Sequence, residues 1–570
     1  MRNTGTAPAE LVMRDLVDSL VQENPDAVAE LTTPAGPLAP GERWLRLGLR
    51  SGWACFRGRP AVLQPYRLSR GPVWHRWDDQ WRELAPHELL ALLEPDASHV
   101  VADLRSAVEH TAVTLDARGH RDLRPRPGGI LAGELLSATR GRPFHPTARA
   151  AAGWTAAELD VYGPMRREPV ALDWVAVRRD HLRLGAAETS GSLHELLLGP
   201  AEREQLARAM RAAGAGEDFQ PLPVHPWQFE RVLPEAYADE FASGAVVAVA
   251  RGIGRFHPTA SLRTLTTSPE SARHVKLPLG VSTLGAMRLL PPRYLDNGQR
   301  AEATMRALAE RDPVLGRRVL VCDETAWSGW RHPSGADEFD DRPGQLTAQV
   351  RTYPPGLLDD PEAVVLPMAA LAADCWDLLP WADVDFFGAL ADAFCEMGLS
   401  FLRHGVLPEL HGQNVLVVLR GRRIERFVLR DHDTLRVHPE WMEAAGVPEP
   451  GYRIKPGARQ SLRLDKPEDL LSYLQTLGFQ VNLFGIADAL GRHLGFGEHV
   501  FWQRLRGAVI GALERLDLPE HVTDLVQREV LRSPTWPCRL VLGPLLRGTR
   551  GAGVSMPAGT GRVPNPLGRV

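Results

Sequence analysis

The alternation of apolar and polar positions divides the chain into segments typical of helices and segments typical of strands. Apolar residues recur at helical spacing over residues 11–31, whereas residues 44–81 alternate in the manner of antiparallel strands broken by Gly and Pro. Helical spacing resumes over residues 89–115 and 130–139. Residues 1–155 are therefore predicted to form an N-terminal α/β domain.

The rest of the chain changes character twice. Over residues 156–351, helices such as 202–213 alternate with short strands such as 246–250, which predicts a second domain. Residues 352–546 are mainly helical around a predicted hairpin and form the third expected domain. The tail, residues 547–570, is rich in Gly, Pro and Arg and is predicted to be disordered. The expected fold class is α+β.

Composition argues against several classes of protein. The chain has 570 residues and a formal net charge of −4, so it lacks the basic excess typical of proteins that bind nucleic acid. Its five cysteines are odd in number and include no Cys-x-x-Cys pair, which argues against a disulfide framework or a zinc site. No apolar run reaches membrane-spanning length. The simplest expectation is a reduced cytoplasmic protein with neither a nucleic-acid nor a membrane partner.

The most informative segment is the polar loop Glu-Leu-His-Gly-Gln-Asn at residues 409–414. It precedes a predicted hairpin whose second strand leads into Arg430-Asp431. Magnesium prefers one or two carboxylates together with phosphate oxygens, so Asp431 is the natural ligand, with Asn414 as a neutral second ligand and Glu409 beside them. The combination is typical of a site for a nucleoside triphosphate and its magnesium.

Two other interpretations of this loop stay open. The arrangement of Glu409, Asn414 and Asp431 is similar to the catalytic loop and metal-binding Asp of kinase-like phosphotransferases. Glu409, however, occupies the position of the catalytic Asp, and no His-Arg-Asp triplet is present. Alternatively, the polar side chains only cap backbone groups of a turn, and Asp431 pairs with its neighbour Arg430.

A second candidate segment is Pro-Thr-Ala-Ser-Leu-Arg-Thr at residues 258–264. In an extended conformation Ser261 and Arg263 face the same way, so both can hold one phosphate. Thr264 supplies a further hydroxyl, and Lys276 lies on the next predicted strand. The alternative is an ordinary strand with solvent-facing Ser and Arg and no ligand.

Two His-Pro loops are weaker candidates. In residues 141–149, prolines stiffen a loop that can present His145 and two guanidinium groups to an anion. Alternatively, His145 bonds a backbone carbonyl and the arginines are solvated. In residues 223–228, a rigid turn with Trp227 in the core is at least as good an interpretation as a ligand contact.

The motifs, taken in their order along the chain, resemble those of the aerobactin-synthetase family. These are siderophore synthetases that work without a peptide-synthetase assembly line. The resemblance covers residues 125–540 and includes a helical C-terminal part similar to that family's ferric-reductase-related segment. It rests on Gly-Arg-Pro-Phe-His-Pro (141–146), Val-His-Pro-Trp-Gln (224–228), Pro-Thr-Ala-Ser-Leu-Arg-Thr (258–264), Lys276 with Arg288, His-Gly-Gln-Asn (411–414) and Arg-Asp (430–431).

The resemblance implies a fold like a cupped hand, with residues 1–155 as a thumb, residues 156–351 as fingers and residues 352–546 as a kinase-like palm. It also implies a homodimer and an ATP- and Mg²⁺-dependent ligase. Such an enzyme activates a carboxyl group of citrate, a citryl derivative or 2-oxoglutarate as an acyl-adenylate. It then transfers the acyl group to an amine or alcohol, with release of AMP and pyrophosphate.

The resemblance further implies roles for individual residues. The phosphates of ATP are expected to bind Ser261, Arg263, Thr264, Lys276 and His145. The nucleotide and magnesium are expected to bind Gln413, Asn414 and Asp431, with Glu409 as a further metal ligand. The carboxylates of the acid are expected to bind Arg288 and His411, which form the expected catalytic set together with Lys276.

The sequence departs from the family pattern at three places. In the first His-Pro loop, Arg142 replaces a His, Arg149 replaces a Lys and Ala151 replaces an Arg. Ahead of Arg288 the family often has Thr-Ser, whereas this chain has Leu-Gly at 284–285, which removes two hydroxyls from the expected acid pocket. A Lys that the family often carries is missing from Thr-Trp-Pro-Cys at 535–538. The identity of both substrates is therefore open.

Two rival functions are also open. A kinase-like phosphotransferase would release ADP rather than AMP, but the chain contains neither a Gly-rich phosphate loop nor a Walker Gly-Lys-Ser/Thr motif. A non-catalytic protein that binds a siderophore or a nucleotide is the second rival. The absence of clustered cysteines argues against an iron–sulfur cluster in such a protein.

Overall fold

The computed structural model describes residues 7–31, 36–77, 80–119, 122–458, 460–548 and 556–569. The N-terminal part is an antiparallel sheet covered by helices, as the sequence pattern predicts. Its strands are β1 Val28–Glu30, β2 Arg43–Gly48, β3 Trp53–Pro60, β4 Tyr66–Trp77 and β5 Gln80–Leu84. Its helices are α1 Pro8–Glu23, α2 Pro86–Leu93, α3 Ser98–Arg118, α4 Leu131–Arg140 and α5 Ala156–Tyr162. The strands pair in chain order.

The helix predicted over residues 11–31 is shorter than expected. The helix α1 ends at Glu23, and the chain continues through a 3₁₀ turn at Pro25–Ala27 into β1. Proline restricts the residue before it to extended conformations and has no N–H to donate, so Pro25 prevents the helix from continuing.

The middle part is built on an antiparallel sheet with the order β7-β15-β16-β11-β10-β9-β6-β8, beside which β12 and β13 form a hairpin. The strands are β6 Val170–Arg178, β7 Leu182–Leu184, β8 Phe219–Val224, β9 Val246–Pro258, β10 Thr264–Thr266, β11 Arg273–Lys276, β12 Leu279–Thr283, β13 Ala286–Arg288, β14 Val319–Val321, β15 Asp323–Trp330 and β16 Thr347–Thr352. The helices are α6 Leu193–Leu197, α7 Pro200–Ala212, α8 Pro226–Arg231, α9 Leu233–Ala236, α10 Ala238–Ser243, α11 Pro292–Arg311 and α12 Pro313–Arg318.

The C-terminal part contains the largest apolar core, in which helices pack around the sheet β14-β20-β19-β17. Its strands are β17 Ala363–Pro367, β18 Val406–Leu407, β19 Val415–Arg420, β20 Arg423–Leu429, β21 Arg436–Val437, β22 Thr535–Leu540 and β23 Gly559–Pro564. Its helices are α13 Met368–Leu371, α14 Val384–Leu402, α15 Pro439–Ala444, α16 Pro467–Tyr473, α17 Phe484–Leu494, α18 His499–Arg515, α19 Glu520–Val526 and α20 Leu542–Arg547, with π-helical turns at Leu474–Leu483 and Gln527–Arg532.

The prediction of a disordered tail is wrong for residues 556–569. The strand β23 pairs with β22 in an antiparallel ladder, and Val563 and Leu567 are buried in the main core. The side chain of Asn565 donates to the carbonyls of Val530 and Ser533 at 3.0 and 2.7 Å. Two apolar anchors and one amide are enough to fix a segment whose composition is typical of disorder. Residues 549–555 and 570 of the predicted tail lie outside the described residues.

The predicted α+β class is confirmed as a fold of mixed helix and sheet. The domain boundaries at residues 155, 351 and 546, the cupped-hand shape and the homodimer stay predictions. All five cysteines are buried and free. Within the residues that the structure describes, none of the helices combines the length and apolarity that crossing a bilayer demands.

The sheets of the middle and C-terminal parts meet at one short connection. The strand β14 pairs in parallel with β20 of the C-terminal sheet. Only Cys322 separates it from β15, which belongs to the sheet of the middle part. Residues at the ends of both sheets are therefore brought together at this junction.

Candidate functional site

The hairpin predicted after the polar loop is confirmed and positions the loop against Asp431. The strands β19 and β20 are antiparallel, with Val415 opposite Leu429. The residue before β19 is therefore next to the residues after β20, and the N–H of Arg430 donates to the carbonyl of Asn414 at 3.1 Å. This register brings the two halves of the predicted nucleotide site to the same edge of the sheet.

Arg430 does not pair with Asp431, contrary to the structural alternative raised by the sequence. Its guanidinium donates to the carboxylate of Glu134 at 2.5 Å, to the hydroxyl of Tyr353 at 2.7 Å and to the carbonyl of Gln413 at 2.9 Å. Arg430 therefore ties the loop to α4 and leaves the carboxylate of Asp431 to other partners.

Asp431 is held by two cations from the neighbouring sheet. Lys276 at the end of β11 donates to its carboxylate, and Arg351 of β16 lies 3.2 Å from the same oxygen. The backbone N–H of Asp431 donates to Glu324 at 2.9 Å. Burial opposes ionisation, but Lys276 and Arg351 hold the pKa of Asp431 well below its usual range. Asp431 is thus an ionised carboxylate at the junction of the two sheets.

The backbone of Asp431 supports a functional interpretation. Its φ of 63° and ψ of 68° lie in the left-handed region, which is uncommon for any residue other than Gly, although Asp adopts it more often than most. Such a conformation costs on the order of 1–3 kcal/mol and persists only where the surroundings enforce it. Here the hydrogen bond from Asp431 to Glu324 helps to enforce it.

The segment at residues 258–264 is a turn, so the prediction of an extended conformation is wrong. Leu262 has a φ of 65°, and its N–H donates to the carbonyl of Thr259 at 3.1 Å. The strand β10 begins only at Thr264, which pairs with Lys276 across β10 and β11. Ser261 and Arg263 still line the same cavity, because the tight turn, rather than strand alternation, presents them.

In the polar loop, Glu409 is surrounded by donors. The amide nitrogen of Asn414 donates to it at 3.1 Å, and Nε2 of His411 and a guanidinium nitrogen of Arg436 each lie 3.5 Å from its oxygens. Burial alone would raise the pKa of Glu409, but His411 and Arg436 hold it well below the usual range. Nδ1 of His411 accepts the N–H of Gln413 at 3.2 Å, so Nε2 carries the proton that faces Glu409.

Arg288 is fixed by the hairpin of β12 and β13. Its guanidinium donates to the hydroxyl and, at 2.5 Å, to the carbonyl of Thr283. Leu284 and Gly285 have φ of 57° and 77°, typical of a two-residue hairpin turn. A Cβ on Gly285 would lie 2.5 Å from Leu545, so this turn requires glycine. Burial, Arg263 and Arg142 lower the pKa of Arg288 to about 9.

One cavity of about 860 Å³ collects nearly all of these groups. Its walls come from the middle sheet, the polar loop and the C-terminal strands. The predicted site residues that line it are Ser261, Arg263, Thr264, Lys276, Arg288, Glu409, His411, Gln413, Asn414 and Asp431. The residues predicted for phosphate, acid and metal therefore share one space.

His145 does not line this cavity. Its side chain is fully buried, and Nε2 has no hydrogen-bond partner among the described residues. Burial, together with Arg142, holds the pKa of His145 well below its ordinary value, so the imidazole is neutral. Its role in phosphate binding stays a prediction.

The two arginines of the same loop have different surroundings. Arg142 lines the cavity. Arg149 also reaches the cavity wall, but its guanidinium donates to Thr111 at 2.9 Å and lies 3.4 Å from Asp15, which holds Arg140 with bonds of 2.7 and 2.8 Å. Of the two arginines in the predicted anion clamp, Arg142 therefore has no carboxylate partner among the residues that the structure describes.

The second His-Pro loop is a structural turn in this chain. The side chain of His225 accepts the N–H of Trp227 at 3.2 Å and caps α8. Gln228 accepts the N–H of Gly280 at 2.8 Å and supports β12. None of these side chains lines the cavity.

Several charged residues of the site are not among those predicted from the sequence. Glu324 and Arg351 form a buried ion pair beneath Asp431, and Asp433, Arg436 and Arg539 line the cavity. Burial, then Asp431 and Glu409, raise the pKa of Asp433 to about 6 against the opposing effect of Lys276. The strands that carry Glu324 and Arg351 contain other polar residues, so the sequence gives no local signal for this pair, and the pairing depends on sheet register.

Asp431, Glu409 and Asn414 fit a magnesium ion by their chemistry. All three offer hard oxygen donors on one wall, and because Asn414 donates to Glu409 through its nitrogen, its amide oxygen is left as an acceptor. Two carboxylates and one amide suit an ion that keeps several ligands for phosphate and water. Among the described residues, no group of three or more His, Cys, Asp and Glu side chains could hold a metal by itself.

In this architecture an antiparallel sheet meets a second sheet beside a cavity that is lined by several arginines and a lysine. Residues 134–373 match the IucA / IucC family, and residues 387–552 match the family described as ferric iron reductase FhuF-like transporter. The chain is 31% identical to staphyloferrin B synthase of Staphylococcus aureus (strain NCTC 8325 / PS 47), over 98% of this chain and 97% of that protein. The chain therefore belongs to the IucA/IucC family.

Solved structures share the fold along nearly the whole chain. The petrobactin biosynthesis protein AsbB from Bacillus anthracis str. Sterne superposes with a TM-score of 0.80 at 18% identity, covering 99% of this chain and 95% of that one. The ATP-bound aerobactin synthetase IucA from Klebsiella pneumoniae superposes with a TM-score of 0.73 at 19% identity, covering 98% and 99%. The fold is thus the same despite low identity.

We predict that Glu324→Gln destabilises the protein by about 3–5 kcal/mol, because it leaves Arg351 buried without its main carboxylate partner. The amide oxygen can still accept the N–H of Asp431, so the change tests the charge rather than the hydrogen bond. Urea unfolding measures the loss. Glu425→Gln, whose partners Arg420 and Arg423 are exposed, is the control and should cost less than about 1 kcal/mol. Equal stability of the two variants would refute the role given to Glu324.

Proposed function

We propose that the protein is an ATP-dependent siderophore synthetase. It adenylates a carboxyl group of citrate, a citryl derivative or 2-oxoglutarate and condenses the product with an amine or alcohol. The observation that carries the proposal is the convergence of Arg263, Lys276, His411 and Asp431 in one cavity. The relatives support it by name: a staphyloferrin B synthase and an aerobactin synthase from Escherichia coli.

The first half-reaction requires two anions to meet. A carboxylate oxygen of the acid attacks the α-phosphorus of ATP, the bond to the β-phosphate oxygen breaks, and pyrophosphate leaves. Arg263 and Lys276, with the hydroxyls of Ser261 and Thr264, bind and orient the phosphates. Arg288 and His411 hold the carboxylates of the acid. Fixed cations in a buried site stabilise the charge of the transition state without reorganising, which makes them the main source of catalysis.

Contacts with neighbouring residues fix the side chains of Lys276 and Arg263 in position. Lys276 is only 3% exposed and is held against Asp431, so its ammonium has a fixed position before any ligand enters. Arg263 donates to the carbonyl of Leu289 at 2.5 Å, which fixes its guanidinium at the cavity wall. Groups that are already oriented lose little entropy when an anion binds.

Asp431, Asn414 and Glu409 would hold Mg²⁺, which neutralises phosphate charge when it is bound. In the second half-reaction the amine or hydroxyl attacks the acyl carbon, an amide or ester bond forms, and AMP leaves with the carboxyl oxygen that had bonded to phosphorus. Gln413 lines the same wall and is placed to contact the nucleotide.

The ligase accounts for the site better than either rival function. A kinase-like phosphotransferase needs no binding groups for a second polyanion, whereas Arg288 and His411 line the cavity in addition to the phosphate residues. A non-catalytic binding protein needs no carboxylate in strained backbone geometry beside a phosphate site, as at Asp431.

We expect sustained turnover of ATP to AMP and pyrophosphate only when an acid and a nucleophile are both supplied, because the nucleophile is needed to free the site of the acyl-adenylate. The measurement is a matrix of citrate, citryl derivatives and 2-oxoglutarate against polyamines, hydroxylated diamines and amino alcohols, read by pyrophosphate release and product mass. ADP as product would favour the phosphotransferase. Background release across the whole matrix would favour the non-catalytic protein.

We also expect Arg263→Ala and His411→Ala each to lower turnover by roughly 100-fold or more, because each removes a preorganised partner of the reacting anions. Circular dichroism and thermal unfolding check that both variants fold. Arg273→Ala is the matched control, since Arg273 is exposed on the same strand as Lys276 and does not line the cavity. Rates near those of the unaltered protein in both variants would refute the assigned site.

A further inference from the structure

Three guanidinium groups that line the cavity have no role in the proposed chemistry. They belong to Arg142 after α4, Arg436 in β21 and Arg539 in β22. Neither Arg142 nor Arg539 makes a side-chain hydrogen bond or an ion pair with any residue that the structure describes. The guanidinium of Arg539 lies 5.8 Å from the centre of the Tyr473 ring, a contact that leaves its N–H donors unused. Arginine side chains that line a cavity with unused donors are available to bind an anion.

Arg436 is the fixed member of this group. Its Cζ lies 3.7 Å from the centre of the Tyr473 ring, and one guanidinium nitrogen donates to the carbonyl of Thr434 at 3.1 Å. The residue is 4% exposed, yet its Nε is buried with no hydrogen-bond partner among the described residues. A buried donor without an acceptor is unfavourable, so a ligand that accepts a hydrogen bond from Nε satisfies a group that has no partner in the free protein.

The three groups are also electrostatic neighbours. Burial and the charge of Arg539 lower the pKa of Arg142 to about 10, and burial and Arg436 lower the pKa of Arg539. The carboxylate of Glu409 has the opposite effect and favours the charged form of both Arg142 and Arg539, which raises their pKa. Three positive charges around one negative charge leave an excess that a further anion would neutralise.

The C-terminal segment forms part of the cavity wall. Arg539 lies opposite Thr560 in the ladder of β22 and β23, and Met556 and Ala558 line the same cavity. The strand β23 lies beyond residues 387–552, which match the FhuF-like family. The position of Arg539 thus depends on a strand outside both family matches.

We propose that Arg142, Arg436 and Arg539 form a second anion subsite that binds a carboxylate carried by the nucleophilic amine. The proposal rests on the proposed ligase function. The acid already has Arg288 and His411, and the phosphates have Arg263 and Lys276. A plain diamine brings only positive charge and is repelled by three guanidinium groups, whereas an amine with its own carboxylate is attracted. The preferred nucleophile is therefore an amino acid or an amine already joined to a carboxylic acid.

The test compares amines that differ only in a carboxylate: 2,3-diaminopropionate with 1,2-diaminoethane, ornithine with putrescine, and lysine with cadaverine. We expect the carboxylated member to have the higher kcat/KM in at least one pair, by about tenfold or more. In Arg539→Gln and Arg142→Gln, the KM of that amine should rise roughly 10- to 100-fold, and the preference for the carboxylated member should shrink. Arg562→Gln is the matched control, because Arg562 is exposed on β23 and does not line the cavity.

The exchange of labelled pyrophosphate into ATP, measured with the acid but without the amine, distinguishes a failure of this subsite from a failure of the proposed function. If the variants raise the KM of the acid in this exchange as much as the KM of the amine, the subsite serves the acid and the proposal is wrong. Equal use of both members of every pair, or preference for the plain diamines, also overturns it. Absence of exchange with every acid would instead mean that the proposed function has failed. Arg539→Lys, which keeps the charge, should recover part of the loss if the role is binding rather than folding.

Discussion

The ion-pair network around Asp431 is the interaction on which the site depends. Asp431 follows the last strand of the C-terminal sheet, whereas Lys276, Arg351 and Glu324 come from the sheet of the middle part. Buried charges are costly unless they are paired, so the two sheets can meet at this point only in an arrangement that pairs all four groups. The same constraint fixes the turn at residues 258–264 against the polar loop, because Lys276 is paired with Thr264 in the neighbouring strand.

The distribution of charge gives this junction its chemistry. The chain as a whole carries a formal net charge of −4, yet its cavity concentrates Arg142, Arg263, Arg288 and further cations. Mutual repulsion within such a group is unfavourable in the free protein, and burial lowers the pKa of Arg288 to about 9. A bound anion would relieve that repulsion. Binding energy of this kind is what a reaction between two negatively charged partners requires.

Much of the fold and site could be predicted from sequence, because local patterns specify local structure. The hairpin after the polar loop and the strands of the N-terminal sheet follow from apolar periodicity. What failed depended on distant partners. The C-terminal segment has a composition typical of disorder, yet Val563 and Leu567 are buried in the main core. The pairing of Glu324 with Arg351 depends on sheet register, and Arg539 reaches the cavity only because β23 holds its strand.

We propose that the cavity lets a carboxylate attack the α-phosphorus of ATP. An experiment with ¹⁸O in the carboxyl groups of the acid, in which mass spectrometry determines the label in the nucleotide product, tests this step. We expect one ¹⁸O in each AMP formed, because that oxygen bonds to phosphorus in the first half-reaction and leaves with AMP in the second. Label in inorganic phosphate, or unlabelled AMP beside the condensed product, would contradict it.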